Sequence, residues 1–596
     1  VKHISGDWFK IIPEQSFSLA TEEKLVVHYD LSHYLINETD APLYPYIVRY
    51  DENGNETSIE KISDYTVFPF EKPEQINRGA NDVVPIPTPA NRYQNNQGLS
   101  LLADNTLHKI IPTPVHVNPE DGNLNISNAL QIYYSSNLIS EAKYIREMLQ
   151  NITGTKFSIL EKDYKNGKAI VLNSKPLNIN GISSEAYMLE ISSNKGVVIT
   201  GSDPTGVFYG IQSLMSLMPL EIFQTSQNTI TVPNIRVEDA PRFPYRGQHL
   251  DVCRNFFAKS TVLKLLDLMA FYKLNHLQLY LSEDEGWRIE IEDLPELTAV
   301  GAQRQHTSKD AAALHPSYGS GPNSYEKDTH GSGYYSKEDF IEILKYAHKR
   351  HIKVIPTINF PGHARAAIKA MEARYNNFME KGQEQLANEY RLIDPDEKSK
   401  YSSAQGYDDN VVNVARESAY RFYDVVIKGI SDMYREAGVP FTFFHTGGDE
   451  VPNGSWSNSP RIDDLVKTMP KVIHPMNLQI HFFRKAIKIL EKYNVKIGGW
   501  EEVVMKRNED WEKGGPDPNP EFVSNNVVPY FWINAWGQED LAYRLANIGY
   551  EVVMCNVTDF YFDLAYDKDP QEPGLYWGGF NKTRDAYETA PLDLFK

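Results

Sequence analysis

Residues 441–450 read FTFFHTGGDE. In this stretch an apolar run is followed by two glycines and then by two adjacent carboxylates, Asp449 and Glu450. Neighbouring side chains of a regular strand point to opposite faces of a sheet, so two acids that serve one site require a break in the strand before them. A glycine pair can supply that break, because glycine adopts backbone conformations that other residues avoid. We therefore interpret 441–450 as a buried strand that ends in a functional site.

Six further segments have the same apolar character, and helical patterns lie between them. The strand candidates are 246–254, 276–284, 353–363, 441–450, 495–502, 527–532 and 551–557. One of the helical segments, SKEDFIEILKYAHKRH, begins with Ser336 and Asp339 in capping-box spacing. Apolar strands that alternate with helices indicate a parallel sheet buried on both faces. The region 242–596 is therefore predicted to form a (β/α)8 TIM-type barrel, and the absence of GxGxxG and GxxxxGK[ST] motifs after the first strand disfavours a nucleotide-binding sheet.

The strand count falls one short of a closed barrel. Such a barrel has eight strands, and the sequence offers seven before Lys596. We expect the eighth strand, with the rest of the carboxyl-terminal part of the barrel, to be absent from this chain. An open barrel edge would leave backbone groups unpaired, which is costly. We therefore also expect a separate carboxyl-terminal fragment to complete the barrel.

Two regions with different patterns precede the barrel. Residues 1–88 alternate short apolar and polar stretches with turn signals, which predicts a β-rich, sandwich-like domain. Residues 89–106 continue a stretch rich in Pro, Asn and Gln and are predicted to be a linker. Residues 107–241 combine the amphipathic helix SEAKYIREMLQNITG with the strands KAIVLN and KGVVIT, which predicts an α+β domain.

Composition narrows the classes of partner. The 596 residues carry a formal net charge of −19, which argues against nucleic acid and anionic membranes because phosphate binding requires clustered Lys and Arg. No apolar run is long enough to span a bilayer, so we expect no membrane span. The two cysteines, Cys253 and Cys555, lie in apolar runs and are interpreted as buried free thiols. Their number and spacing indicate neither a disulfide framework nor a zinc site.

Polar and aromatic side chains fall at the ends of the predicted strands. Barrels of this type carry their chemistry at the carboxyl ends of the strands. Those ends hold acids, an arginine, a histidine and aromatic residues, namely Asp251, Arg254, Glu283, Asp284, His363, Asp449, Glu450, Trp500, Glu501, Trp532, Asp559, Tyr561 and Asp563. Solvated loop starts would account for the polar residues but not for the tryptophans.

Several other chemistries lack their residues at these positions. No serine lies in a GxSxG elbow, and both cysteines lie within apolar strands, which disfavours a thiolate nucleophile. His363 and His445 could bind a metal together with Asp449, but no HExxH spacing supports such a site. What remains is acid/base chemistry by carboxylates on a substrate held by aromatic rings and an arginine, and that combination describes glycoside hydrolysis.

Six motifs in this order resemble glycoside hydrolase family 20, and most closely its bacterial chitobiase-like members, which are exo-acting β-N-acetylhexosaminidases. The motifs are YRGQHLDVCRNF (245–256), LSEDEGWRIEI (281–291), NFPGHA (359–364), HTGGDE (445–450), GGWEE (498–502) and YWGG (576–579). The resemblance covers nearly the whole chain. It implies that residues 1–88 are an incomplete carbohydrate-binding-like domain, and that residues 107–241 are the second domain of the family.

The resemblance also implies a role for each matching residue. Glu450 is implied as the general acid/base, and Asp449 as the group that orients and polarises the 2-acetamido group of the substrate. Arg246 is implied to bind sugar hydroxyls at the non-reducing end, with Asp284 and His363 supporting the site. The other implied substrate-binding residues are Tyr561 for the acetamido carbonyl, Asp563 for a hydroxyl, and Trp500, either Trp532 or Trp536, and Trp577 for the pocket wall.

The implied reaction removes terminal non-reducing GlcNAc, or GalNAc, from chitooligosaccharides or glycans with retention of configuration. In it the acetamido oxygen of the substrate attacks the anomeric carbon and forms an oxazolinium. Glu450 must then start protonated, so we expect its pKa to be raised and Asp449 to be ionised. The alternatives are a lacto-N-biosidase-like enzyme that releases a disaccharide and a carbohydrate-binding protein with weakened catalysis. Neither a cofactor nor a metal is implied, and the expected location is periplasmic or secreted, in a bacterium.

Overall fold

The computed structural model describes residues 1–14, 17–24, 26, 37–72, 75–76, 82–100, 109–164, 166–307, 313–469, 475–507 and 516–591. Its β-strands are β1 Lys2–Ser5, β2 Trp8–Lys10, β3 Tyr46–Tyr50, β4 Glu56–Lys61, β5 His116–Ile126, β6 Ile132–Tyr134, β7 Ile159–Glu161, β8 Ala169–Ser174, β9 Tyr187–Ser192, β10 Gly196–Gly201, β11 Ile230–Asp239, β12 Gly247–Asp251, β13 His276–Glu283, β14 Gly286–Trp287, β15 Lys353–Ile358, β16 Phe443–His445, β17 Lys496–Trp500, β18 Met505–Lys506, β19 Asp517–Pro518, β20 Val527–Phe531 and β21 Val553–Met554. Its α-helices are α1 Pro89–Asn96, α2 Ile139–Thr153, α3 Pro204–Ser216, α4 Glu221–Gln224, α5 Lys259–Phe271, α6 Glu296–Ala299, α7 Lys337–His348, α8 Arg365–Glu380, α9 Glu384–Asn388, α10 Glu417–Ala437, α11 Pro460–Lys467, α12 Pro475–Glu491, α13 Leu541–Asn547, α14 Val557–Phe560 and α15 Thr583–Glu588.

The carboxyl-terminal region contains a parallel sheet of barrel type. Its strands follow one another in sequence order, β12-β13-β15-β16-β17-β20-β21, and every adjacent pair is parallel. Each of the seven predicted strands coincides with one of these, although β16 and β21 are shorter than expected. Because all the strands run the same way, their carboxyl ends meet at one edge of the sheet, which we call the catalytic rim. Within the described residues, β12 and β21 each have a parallel neighbour on one side only.

Amphipathic helices cover the outer face of this sheet. Helix α10 buries one face from Ser418 to Ala437 and ends at Gly438, whose φ of 68° is the left-handed conformation that favours glycine at a helix end. Helix α7 has the predicted capping box, because the Ser336 hydroxyl accepts a hydrogen bond from the Asp339 backbone N–H at 3.1 Å. These helices pack on a continuous apolar core that includes the barrel strands.

The preceding α+β region packs against the end of the barrel opposite the catalytic rim. Its seven-stranded sheet has the order β5-β11-β9-β10-β8-β6-β7, and α2 and α3 lie on it. His351, two residues before β15, lies 2.8 Å from Glu141 of α2 and 3.0 Å from Thr205 of α3. This region therefore supports the amino ends of the barrel strands and leaves the catalytic rim free.

The first hundred residues differ from the prediction. In the described part of residues 1–88, the strands form two separate two-stranded sheets, β1-β2 and β3-β4, and the two packed sheets of a sandwich are not seen there. Helix α1 lies within the predicted linker, and Arg92 on it forms ion pairs with Asp567 at 2.9 Å and Asp569 at 2.8 Å. The first eight residues of this segment are therefore a helix docked on the carboxyl-terminal region, and residues 101–106 lie outside the described residues. No helix in the described ranges combines the length and the apolar character needed to cross a membrane.

Candidate active site

A glycine turn after β16 brings Asp449 and Glu450 to the catalytic rim. Gly447 and Gly448 have φ values of 66° and 94°, in the region that side chains disfavour. A Cβ atom at Gly447 would collide with the Oδ1 atom of Asn359, so this position has no room for a side chain. The turn ends the alternation of the strand, as the two glycines predict, and both carboxylates can face one site.

Asn359, which follows β15, fixes this turn from the neighbouring strand. Its Oδ1 atom accepts a hydrogen bond from the Gly448 N–H at 2.7 Å, and its amide nitrogen donates to Asp449 Oδ1 at 2.8 Å. The same nitrogen lies 2.5 Å from the Tyr280 hydroxyl and 3.1 Å from Glu283 Oε1. A carboxylate that accepts such a bond is oriented and favoured in its ionised form.

His363 connects Glu450 to a buried aspartate. Its Nε2 atom lies 3.3 Å from Glu450 Oε2, and its Nδ1 atom lies 3.0 Å from Asp284 Oδ2. Asp284 is completely buried and also accepts hydrogen bonds from the Arg365 N–H at 3.1 Å and the Asn410 amide at 3.0 Å. Asp284 therefore lies behind His363 and orients its ring, a supporting position that needs no contact with the substrate.

The charges around this group give a protonation pattern opposite to the expected one. Burial disfavours the imidazolium, but the carboxylates of Glu283, Asp449 and Asp284 outweigh it and raise the pKa of His363 well above its usual value. Burial raises the pKa of Glu450, but the hydrogen bond and positive charge of His363 outweigh it, and the pKa falls to about 2. Burial, opposed by His363 and aided by the charge of Glu450, raises the pKa of Asp449 to about 6. These shifts favour a protonated His363 beside an ionised Glu450.

Arg254 is the arginine that reaches the catalytic rim. It follows the carboxyl end of β12, and its guanidinium forms ion pairs with Asp251 at 2.9 Å, Glu283 at 3.1 Å and Glu285 at 3.1 Å. The Arg254 side chain is 23% exposed, whereas those of Glu283 and Glu285 are buried beneath it. This arrangement fixes one partly exposed cation at the catalytic rim, where it can bind a polar ligand.

Arg246 lies at the other end of the same strand. Its guanidinium donates to Glu185 Oε2 at 2.8 Å and to the Tyr209 hydroxyl at 2.7 Å, both in the α+β region, and to the Lys273 carbonyl at 2.9 Å. The prediction that Arg246 binds sugar hydroxyls is therefore wrong. Both arginines belong to the motif YRGQHLDVCRNF, and the direction of β12 decides which of them reaches the catalytic rim.

The two arginines give a matched pair of variants. We expect Arg254→Lys to raise KM for a sugar substrate about tenfold to a hundredfold. The planar guanidinium can bind three carboxylates and a ligand at once, whereas the single ammonium of lysine cannot. We expect Arg246→Lys to leave KM near that of the wild type and to lower the melting temperature, because it loosens the contact between the α+β region and the barrel. Steady-state kinetics and thermal melts of both variants check this, and a raised KM confined to Arg246→Lys would contradict the assignment.

Aromatic side chains form a wall beside the two carboxylates. Trp500 and Trp532 are almost fully buried and belong to one apolar cluster with Trp577 and Tyr561. The Trp577 ring lies 6.0 Å from Trp532 and 5.8 Å from Tyr561, edge to face in both cases. Trp536 stacks on Trp577 at 6.2 Å and is 60% exposed. Trp532 thus belongs to the inner wall and Trp536 to its outer end.

The remaining predicted residues lie close to this wall. Tyr561 is near enough to Asp449 for the charge of Asp449 to affect its pKa, which burial raises well above the usual value. Asp563 is exposed and lies within electrostatic range of Asp251 and Arg254. The structure therefore brings all the predicted site residues to the catalytic rim except Arg246, with Asp284 placed behind it.

Three polar contacts that hold the site were not predicted from the sequence. Gln405 donates its amide to Glu450 Oε2 at 3.0 Å, and nothing in the loop sequence around it signals this contact. Glu502 accepts a hydrogen bond from the Glu450 N–H at 3.3 Å, and Glu501 accepts from the Trp532 N–H at 3.3 Å. The acidic pair in the motif GGWEE was a visible signal, but the role of each acid depends on contacts between strands.

One group of side chains has the spacing of a metal site. Glu283, Asp284 and His363 place one possible ligand atom each within 4.8 Å of one another. The Nδ1 atom of His363 lies 3.1 Å from Glu283 Oε2 and 3.0 Å from Asp284 Oδ2. We assign this group to proton handling, since its charges keep His363 protonated.

Two family descriptions match the chain. "Glycosyl hydrolase family 20, catalytic domain" matches residues 243–594, and "Glycosyl hydrolase family 20, domain 2" matches residues 107–240. The chain is 33% identical over 608 residues to a β-hexosaminidase of Vibrio vulnificus and 33% identical over 632 residues to an N,N'-diacetylchitobiase of Vibrio harveyi. Each alignment covers 100% of this chain and 68% of the relative.

Solved structures of family 20 proteins also match this chain. A GH20 exo β-N-acetylglucosaminidase of Vibrio harveyi, in complex with N-acetylglucosamine, matches with a TM-score of 0.67 and 29% identity over 82% of this chain and 66% of that chain. An inactive mutant of a GH20 exo β-N-acetylglucosaminidase of Vibrio harveyi matches with a TM-score of 0.72 and 26% identity over 95% of this chain and 75% of that chain. This chain thus spans about two thirds to three quarters of the length of these relatives. Because the catalytic-domain description covers more than half of its residues, the chain belongs to glycosyl hydrolase family 20.

Proposed function

We propose that this chain is an exo-acting, retaining β-N-acetylhexosaminidase that removes terminal GlcNAc or GalNAc from the non-reducing ends of chitooligosaccharides or glycans. The observation that carries this proposal is the separate anchoring of two adjacent carboxylates. Asn359 holds Asp449, while His363 and Gln405 hold Glu450. Two acids with different partners suit two different targets on one sugar, which are its acetamido group and its glycosidic oxygen.

Asp449 is proposed to act on the acetamido nitrogen. When the acetamido oxygen attacks the anomeric carbon, positive charge develops on this nitrogen, and an oriented carboxylate stabilises that charge. A pKa of about 6 leaves Asp449 mostly ionised at neutral pH, as this role requires. Tyr561, whose pKa responds to the charge of Asp449, is proposed to hold the acetamido carbonyl in position for attack.

Glu450 is proposed to protonate the glycosidic oxygen with a proton that the free enzyme stores on His363. A sugar that covers Glu450 removes water from its carboxylate, and this desolvation favours the neutral acid. His363 Nε2 lies 3.3 Å from Glu450 Oε2, which is close enough for proton exchange once the two groups align. After the leaving group departs, the Glu450 carboxylate accepts a proton from the attacking water, so one residue serves both steps.

The rest of the catalytic rim is proposed to fix the terminal sugar. Arg254 and Asp563 offer a cation and an acceptor for hydroxyl groups, while Trp500, Trp532 and Trp577 supply the apolar faces on which a pyranose ring packs. Because Arg254 is backed by buried carboxylates, this end of the pocket suits a terminal unit. Exo action is proposed from the likeness to the exo β-N-acetylglucosaminidase of Vibrio harveyi.

We further propose that an eighth strand pairs with β12 and β21 and closes the barrel. Each of these strands has one parallel neighbour within the described residues, and unpaired strand edges are costly in a buried sheet. That strand would come from a segment outside this sequence, supplied by the same protein or by a separate fragment. A periplasmic or secreted location is proposed on the nature of the substrate alone, because chitooligosaccharides arise outside the cytoplasm.

Hydrolysis of 4-nitrophenyl β-GlcNAc by a preparation that contains all eight barrel strands tests the function. We expect release of GlcNAc as its β-anomer first, followed by mutarotation, as observed by NMR. The 4-nitrophenyl β-glucoside is the matched control, and it should not be cleaved at a comparable rate because it lacks the acetamido group. Absence of turnover in a complete and folded preparation would contradict the proposal, and equal rates for both substrates would contradict acetamido assistance.

A further inference from the structure

The hairpin β1-β2 at the start of the chain contacts a loop that reaches Glu450. The Gly6 N–H donates to the Gly406 carbonyl at 3.2 Å. Gly6 has a φ of 57°, and a Cβ atom there would lie 2.6 Å from the Tyr407 hydroxyl oxygen, so the Tyr407 ring covers this glycine closely. Gln405, the residue before Gly406, donates its amide to Glu450 Oε2 at 3.0 Å.

The same hairpin contacts a second loop, which reaches Arg254. Asp7 Oδ2 accepts a hydrogen bond from the Tyr318 N–H at 2.8 Å. The Trp8 ring stacks on buried His315 with a centroid distance of 5.3 Å and an interplanar angle of 16°. The two contacts hold residues 313–320 of the rim from outside the barrel.

A buried arginine ties this second loop to the backbone of Arg254. Arg304 is 1% exposed, and its guanidinium donates to the Ser317 carbonyl at 3.2 Å, the Cys253 carbonyl at 2.6 Å and the Arg254 carbonyl at 2.8 Å. Asp7 lies within electrostatic range of Arg304 and supplies a countercharge from the hairpin. The position of Arg254 therefore depends on a loop that the hairpin holds in place.

We propose that the β1-β2 hairpin is a positioning element of the sugar pocket, which holds Gln405 against Glu450 through Gly6 and holds the backbone of Arg254 through Asp7 and Trp8. The hairpin lies more than 200 positions before the first barrel strand in the sequence. It thereby sets the geometry at both ends of the terminal sugar from a distant part of the chain. The kinetic consequences rest on the proposed hexosaminidase function, whereas the contacts with the two loops can be tested without substrate.

Each half of this proposal predicts a different kinetic effect. Loss of the Gly6 contact should free Gln405, which removes a hydrogen bond that favours the ionised form of Glu450 and alters the pH profile of kcat/KM. The other charged groups around Glu450, which are His363, Asp449, Glu502 and Arg254, remain in place. Loss of the Asp7 contact should loosen Arg254 and raise KM with little change in kcat.

Glycine and aspartate variants of the full chain, with the complete barrel, test both halves. Gly6→Ala has a matched control in Gly54→Ala, because Gly54 has a φ of 81° in the β3-β4 turn and no atom near its Cβ position. Asp7→Asn has a matched control in Asp51→Asn, in the same exposed turn. The rate of amide hydrogen exchange at residues 313–320 and 403–407, measured without substrate, reports whether the hairpin still holds the two loops. Kinetics with 4-nitrophenyl β-GlcNAc then measure the effect on catalysis.

We expect Gly6→Ala to speed exchange at 403–407 several-fold and to lower kcat/KM about tenfold with an altered pH profile. We expect Asp7→Asn to speed exchange at 313–320 and to raise KM about tenfold, while both controls behave as the wild type. Unchanged exchange and kinetics in folded Asp7→Asn would overturn the proposal even if Gly6→Ala failed to fold. A wild-type protein without turnover would contradict the proposed function, and the exchange data would still decide the role of the hairpin.

Discussion

Replacement of Glu450 by glutamine is expected to lower kcat/KM for a chitooligosaccharide by about three orders of magnitude, the scale of general acid/base catalysis. Glutamine keeps the size of the side chain and can still accept the bond from Gln405, but it can neither donate nor accept the proton that is exchanged with His363. The loss should appear in kcat rather than in KM, since the change removes a transition-state interaction. Steady-state kinetics of purified Glu450→Gln check this.

The leaving group provides an internal control for this prediction. A 4-nitrophenolate departs with little help from an acid, so Glu450→Gln should impair hydrolysis of the aryl glycoside less than hydrolysis of a sugar–sugar bond. Glu502→Gln is the matched variant, because burial and the charge of Asp449 raise the pKa of Glu502 to about 8 and keep it largely protonated at neutral pH. It should change kcat/KM far less. Equal losses in the two variants would contradict proton transfer by Glu450 as the cause of the loss.

Replacement of Asp449 by asparagine is expected to lower kcat by about a hundredfold to a thousandfold, the scale of a lost electrostatic contact in the transition state. Asparagine matches the shape of aspartate but carries no charge to stabilise the developing positive charge on the acetamido nitrogen. The pH dependence of the wild type gives a second readout. Because the pKa of Asp449 is raised to about 6, kcat/KM should fall as the pH drops through about 6, and the residual activity of Asp449→Asn should lack this decline.

Asp449→Asn and Glu450→Gln should have opposite effects on stability at neutral pH. The folded-state pKa of Asp449 is raised to about 6, so above that pH the ionised carboxylate destabilises the folded protein. Asparagine carries no charge at this position. Asp449→Asn should therefore raise the melting temperature at pH 7. The folded-state pKa of Glu450 is lowered to about 2, so its ionised form stabilises the fold above the unfolded-state pKa and this contribution is lost as the pH falls through about 2. Glu450→Gln should therefore lower the melting temperature at pH 7. A rise for Glu450→Gln and a fall for Asp449→Asn would contradict the charge distribution described for this site.

The barrel strands and the position of the acid pair could be predicted from the sequence. Apolar runs separated by helical patterns are local signals, and all seven predicted strands are present in the expected order. The two glycines before Asp449 are also a local signal, because a positive φ at Gly447 and Gly448 needs no distant contact to be inferred. Strand direction alone would have selected Arg254 over Arg246, since only Arg254 follows the carboxyl end of β12.

Protonation and support of the site could not be predicted in this way. The family resemblance implies a protonated Glu450, because the implied reaction needs an acid at its start. In the structure His363, from the loop after β15, lies between Glu450 and two acids of β13 and its following residue, and it takes the proton instead. Gln405 and the β1-β2 hairpin carry no motif, and only their contacts reveal what they hold.

The sequence by itself determined where the chain forms strands, where those strands end and which residue types stand at the ends, because backbone preference and apolar periodicity act over a few residues. Only the tertiary structure decided which side chains share a proton and which distant segment contacts the loops of the pocket. The physical reason is range: a charge on Asp284 or a hydrogen bond to Gly406 acts through space over a few ångströms, between residues that are far apart along the chain.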